Sequence, residues 1–241
     1  MKYFHNTKIF SGILVVIVLA VFTIGCSDNV TDSNNAPVQP PEQMNVTEHI
    51  PTNLQTSAPQ AYSGVVTMQS LMNIGHDMYS EVDQKHSVSD GVYGEGDFTI
   101  TYSAEPEERN GRAGTMWSVV FNGTLVDGDS SITFENDKVF FGWTANDGSA
   151  GNYTFDFSAY TEAQNMGGTG VNTYTVDWTT DSNGTITMNS SMQMEGESIE
   201  STLVLNEDGS GSYTSTHNYS DGTSDSYSVE WDANGNVTSQ G

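Results

Sequence analysis

The chain has 241 residues, a formal net charge of −25 at neutral pH from 31 acidic against 6 basic residues, and one cysteine. That charge repels phosphate backbones and anionic headgroups, which excludes nucleic acid as a partner and adhesion to a membrane through a basic patch. One cysteine excludes a disulfide framework, a CxxC redox pair and a thiolate zinc cluster. An acidic surface of this kind is a general solubility device.

The N-terminus carries Lys2 and Lys8, then the apolar run Ile13 to Val21, which is too short to be a comfortable spanning helix. Gly25 stands directly before Cys26, and a polar stretch follows. This arrangement resembles the bacterial lipoprotein signal, in which a Gly/Ala-Cys ending is cleaved and the cysteine acylated; Thr23 stands where that family commonly has Leu. The resemblance implies a signal peptide over residues 1–25 and a palmitate-bearing Cys26 as the first mature residue. Its membrane partner is reached through acyl chains, and two or three chains hold firmly where one binds only marginally. An uncleaved anchor helix with an incidental cysteine is the alternative, and both tether the domain. Asp28 and Asp32 resemble the export signals of surface lipoproteins in some Bacteroidota, which favours the outer membrane.

Residues 26–60 read as a tether. They hold Pro37, Pro40, Pro41, Pro51 and Pro59 among Asn, Ser, Thr and Gln, and such a composition buries too little apolar surface to offset its ordering entropy. Over residues 61–86, Val65, Met68, Met72, Gly75, Tyr79 and Val82 recur at helical spacing, with Leu71 and Met78 widening the stripe. This predicts one amphipathic helix packed on the rest of the chain.

Residues 87–241 alternate with a period of two. Phe98, Ile100 and Tyr102 are followed by Trp117, Val119 and Phe121, by Ile132 and Phe134, by Val139, Phe141 and Trp143, and by Tyr153, Phe155 and Phe157. A loop at Gly167, Gly168 and Gly170 leads to Tyr174, Val176 and Trp178, then Ile186, Met188, Met192 and Met194. Ile199, Leu203 and Leu205, then Tyr213 and Tyr219, then Tyr227, Val229 and Trp231 close the chain. Short Gly-containing turns between about ten such runs predict an all-β, antiparallel up-and-down meander, closed into a barrel or strongly curled. A membrane-spanning barrel also has one apolar and one polar face. The lipoprotein-like start, the Pro-rich tether and the polar end Val237 to Gly241 argue against it.

Catalytic motifs are absent: the sequence has no GxSxG, HExxH or GxxxxGK[ST]. His5, His49, His76, His86 and His217 have no metal-ligand spacing. His217 shares parity with Tyr213, Ser215 and Tyr219, which places it on the inner face, expected against a hydroxyl. The stretches Asp181 to Gly184, Asn206 to Gly209 and Asp232 to Gly235 look like calcium loops but lack the full ligand set. Asp and Asn before Gly are what tight turns select. The charged stretch Ala104 to Arg112 is expected to be a solvated loop, although paired carboxylates can serve sugar chemistry.

The inward face is the remaining candidate. Trp117, Phe121, Phe141, Trp143, Phe155, Trp178, Met188, Met192, Met194 and Trp231 either fill a core or line a pocket for a hydrophobic small molecule or lipid. The domain is similar to the lipocalins in architecture only; their Gly-x-Trp signature is not matched by Gly114-Thr115-Met116-Trp117. The sequence therefore points to a lipid-anchored bacterial envelope protein with a non-enzymatic binding or structural role and no cofactor or metal. A carrier of an apolar ligand is the alternative, and an enzyme acting on a surface polymer a more remote one. Nothing in the sequence sets an oligomeric state.

Overall fold

The computed structural model describes residues 44–85, 91–93, 97–127, 130–156, 158 and 171–241. The signal, Cys26, the first part of the tether, His86, Phe157 and the loop at Gly167 to Gly170 lie outside the described residues. Among the described residues, eleven strands form one sheet in chain order, each antiparallel to the next. They are β1 Gly91–Tyr93, β2 Thr99–Arg109, β3 Arg112–Asp127, β4 Ser130–Ala145, β5 Ala150–Asp156 and β6 Val171–Thr180. Then come β7 Ile186–Met194, β8 Glu197–Leu205, β9 Gly211–Asn218, β10 Ser224–Trp231 and β11 Val237–Gln240. The expected meander is present. β1 does not pair with β11, so these pairings give an open sheet and not a closed barrel.

Alternation decides which side chains turn inward. On β6, Tyr174, Val176 and Trp178 are buried while Asp177 and Thr179 are exposed; on β8, Ser201, Leu203 and Leu205 are buried. An edge-to-face aromatic chain crosses the inner face: Trp117 to Tyr153 at 5.1 Å and Tyr153 to Trp178 at 4.8 Å between ring centroids. The charged stretch expected as a loop is the end of a hairpin. Ala104 to Arg109 belong to β2 and pair with β3, leaving only Asn110 and Gly111 as the turn. Asn110 (φ 53°) and Gly111 (φ 75°) are both left-handed, as a two-residue hairpin turn needs.

The Asp-x-Asn-Gly turns are built alike. The Asp181 carboxylate accepts the backbone N–H groups of Asn183 (2.8 Å) and Thr185 (2.9 Å), and Gly184 takes a φ of 78°. Asp232 accepts those of Asn234 and Asn236 at 2.9 Å each, and Gly235 again has a φ of 78°. Tryptophans brace neighbouring turns. The Trp178 indole donates to the Gly148 carbonyl (3.0 Å) and the Trp231 indole to that of Gly209 (2.9 Å).

Residues 44–60, expected as part of a tether, belong to the folded unit. A 3₁₀ turn at Val46–His49 and a short helix α1 at Leu54–Ser57 bury Val46, Ile50 and Leu54. The buried Gln69 side chain ties them down, accepting the Val46 N–H at 2.6 Å and donating to the Met44 carbonyl at 3.0 Å. Proline richness misled the boundary: Pro59 opens the long helix at its first position, where its missing N–H costs nothing.

That helix, α2 (Pro59–Lys85), buries Ala61, Val65, Met68, Leu71 and Met72 against the inner face of the sheet. Burial of each of the four larger side chains contributes on the order of 1.5–3 kcal/mol. Two glycines set its seat. A Cβ on Gly64 would collide with the Tyr213 phenol, and one on Gly75 would lie 2.9 Å from the Tyr153 ring and 3.1 Å from Phe140. Among the described residues no helix is long and apolar enough to cross a membrane. Gly64→Val should lower the unfolding free energy in urea by about 2–3 kcal/mol, whereas the exposed neighbour change Ser63→Ala should stay within about 0.5 kcal/mol. Equal effects would mean that α2 is not seated on Tyr213.

Candidate functional site

The nominated side chains fall into three groups. Trp117, Phe121, Phe155, Trp178, Met188 and Trp231 are all 3 % exposed or less and belong to one core with Val65, Met68 and Leu71 of α2. They are part of the packed core and line no open space.

Phe141 and Trp143 are on the other face, which corrects their assignment to the interior. Phe140 and Gly142 take the inward positions of β4, beside Val119 and Trp117 of β3. The parity of Ile132 and Phe134 continues to Phe140 along one 16-residue strand, with register shifts between. Two adjacent phenylalanines and a glycine at an inward position hid this in the sequence. A Cβ at Gly142 would lie 2.8 Å from the Tyr153 ring, so the glycine admits that aromatic. Outside, Trp143 packs with Met116, Ala145 and Ala150, and the Arg109 guanidinium lies 5.6 Å above its ring. Arg109 also pairs with Glu107 at 2.7 Å and donates to Asn152 at 3.2 Å. This is a closed brace, with its donors already engaged.

Met192 and Met194 form the third group. They are half-buried, at the far end of the inner face. Strand register puts Tyr174, Met192, Ile199, His217 and Asp225 in one row across β6 to β10. Burial falls along that row: Tyr174 is 3 % exposed, Met192, Ile199 and His217 are intermediate, and Asp225 is exposed. The cause is the path of α2. Gly64 meets Tyr213 on β9, and Gly75 meets Tyr153 and Phe140 on β5 and β4, so the helix crosses the sheet obliquely and away from this corner.

Polar groups gather at the same end. His217 Nε2 lies 3.1 Å from Glu197 Oε2, both partly buried, and the His217 ring stacks on Tyr219 with centroids 4.1 Å apart at 34°. The Tyr219 hydroxyl donates to Asp225 Oδ2 at 3.0 Å. His217 is thus on the inner face as its parity predicts, but its partner is a carboxylate and not a hydroxyl. Tyr227, half-buried, closes the corner 6.4 Å from Tyr213. Deeper in, burial pushes the Tyr153 phenol up to about 12 and the Tyr174 phenol higher still, so both stay neutral; the Tyr153 hydroxyl accepts a hydrogen bond from Thr144 at 3.1 Å. The alternation places Ile199 and Tyr227 on strands without nominating them for a site, and it does not single out Glu197 and Asp225. The signal available was parity: Glu197 and Asp225 occupy inward positions of strands whose other inward residues are Ile199, Leu203 and Val229.

Among the described residues no group of three or more His, Cys, Asp or Glu is placed to hold a metal ion. The turn carboxylates are committed to their own turns. Ser149 holds the Asp147 carboxyl below its usual range by hydrogen bonding, Ser210 does so for Asp208 and Thr223 for Asp221, and Asn236 leads the same effect on Asp232. In comparison with known proteins, the chain matches no family model, no curated protein and no solved structure.

Proposed function

We propose that this is a lipid-anchored, non-enzymatic protein of the bacterial outer membrane, whose β domain binds an apolar group at the half-covered end of its inner face. The anchor is Cys26, acylated after removal of residues 1–25. The observation that carries the binding role is the uneven seal of the inner face. Six of the nominated residues are buried in the core that α2 shares, whereas Met192, opposite Ile199, and Met194 stay half-buried. Unbranched methionines adapt to irregular apolar partners, and an apolar floor with a few convergent polar groups is the usual form of a ligand site. The absence of catalytic sequence motifs supports a binding role over catalysis.

A carrier holding its ligand deep in a closed interior would need α2 to leave the sheet and expose Val65, Met68 and Leu71, each 1 % exposed or less. The corner needs no such movement.

Two measurements check this reading. Cys26→Ala, or treatment with globomycin, should change the mature mass and release the protein from membranes; an unchanged mass and location would contradict the anchor. With methyl-labelled methionine in the full chain, hexan-1-ol should shift the Met192 and Met194 resonances and leave Met68 and Met188 in place. Shifts at no methionine, or at all alike, would contradict the site.

A further inference from the structure

We propose that Asn110 is a modification site: the fold leaves the Asn110-Gly111 pair open to spontaneous deamidation while it protects the other Asn-Gly pairs. The sequence holds four such pairs, at Asn110, Asn122, Asn183 and Asn234. In each, the backbone nitrogen of the glycine, once deprotonated, can attack the side-chain carbonyl carbon Cγ of the asparagine. A bond forms from that nitrogen to Cγ, the bond from Cγ to Nδ2 breaks, and ammonia leaves with the proton. Water then opens the cyclic imide to aspartate or isoaspartate, so that one water is consumed for each ammonia released. Glycine favours the attack because no Cβ shields its nitrogen.

What differs among the four pairs is the state of the glycine nitrogen. The Gly184 N–H donates to the Asp181 carbonyl at 3.1 Å and the Gly235 N–H to the Asp232 carbonyl at 2.8 Å, so both are committed to their turns. These glycines are also covered. A Cβ on Gly184 would meet the Glu207 side chain at 3.4 Å, and one on Gly235 would lie 2.9 Å from Pro51. Asn122 is half-buried within β3, and Gly123 is pressed so closely on the backbone of Asp97 and Phe98 that no Cβ fits. Gly111 has neither protection. Asn110 and Gly111 are both exposed at the tip of the β2–β3 hairpin, and a Cβ on Gly111 would touch nothing within 4 Å. Among the described residues no backbone hydrogen bond holds the Gly111 N–H, because the pairing of Arg109 with Arg112 closes the hairpin without using it. The isoaspartate product lengthens the backbone by one carbon and no longer fits a two-residue turn. It therefore loosens the strand end from which Arg109 reaches over Trp143.

The test keeps the full chain folded in warm, mildly alkaline buffer, withdraws samples over time, and sequences the peptides of a glutamyl endopeptidase digest by mass spectrometry. Asn110 should convert at least about fivefold faster than Asn183 and Asn234, whose glycine N–H must first leave a hydrogen bond. Asn122 should convert most slowly. In urea sufficient to unfold the chain, all four should convert at similar rates. Conversion of Asn183 or Asn234 as fast as Asn110 in the folded chain would mean that the turns give no protection. An Asn110 still intact in the folded chain after the four have converted in urea would mean that the hairpin tip is protected as well. The same rate order persisting in urea would assign it to neighbouring residues and not to the fold. Any of these results overturns the proposal.

Discussion

The seat of helix α2 on the inner face of the sheet is the contact on which the rest depends. Eleven meandering strands with one apolar face must bury that face, and the open pairing order leaves no opposite wall to do so. The helix supplies the wall. Its approach is set by the two glycines, because Tyr213 and Tyr153 occupy the space where side chains would otherwise stand. An oblique crossing follows from these two contacts, and it covers one diagonal of the sheet more fully than the corner at β7 to β10. The candidate site is what this geometry leaves over.

The opposite corner is reinforced by different means. The 3₁₀ turn and α1 lie across the turns that begin β9 and β11: Pro51 sits against Gly209 and Gly235, and the Ser57 hydroxyl donates to the Gly235 carbonyl at 2.5 Å. Indoles brace the turns from inside through Gly148 and Gly209. Asp carboxylates fix the turns from outside by accepting their N–H groups. The acidic turns are thereby accounted for as backbone chemistry.

Much of the architecture was legible in the sequence. Alternation in Tyr174, Val176 and Trp178 gave the correct inward face, the spacing of Val65, Met68 and Met72 gave the helix, and His217 was placed by parity. Where the reading failed, a local feature outweighed the pattern. The Phe140-Phe141 pair left the phase of β4 ambiguous, and only the pairing with Val119 resolves it. Pro51 and Pro59 look like tether residues until the burial of Val46 and Leu54 shows that segment folded. Whether an inward aromatic lines a pocket or fills a core depends on the path of the helix. That path is a tertiary fact, and no strand pattern contains it.

The uneven seal of the inner face is the central claim, and solvent access at methionine methyl groups measures it directly. In the full chain, an uncharged paramagnetic gadolinium chelate should broaden the Met192 and Met194 methyl signals and leave those of Met68, Met72 and Met188 sharp. The last three are 3 % exposed or less, and the first two half-buried. Equal broadening of all five would mean that α2 does not seal the core, and sharp signals from all five would mean that the corner is closed; either result contradicts the account.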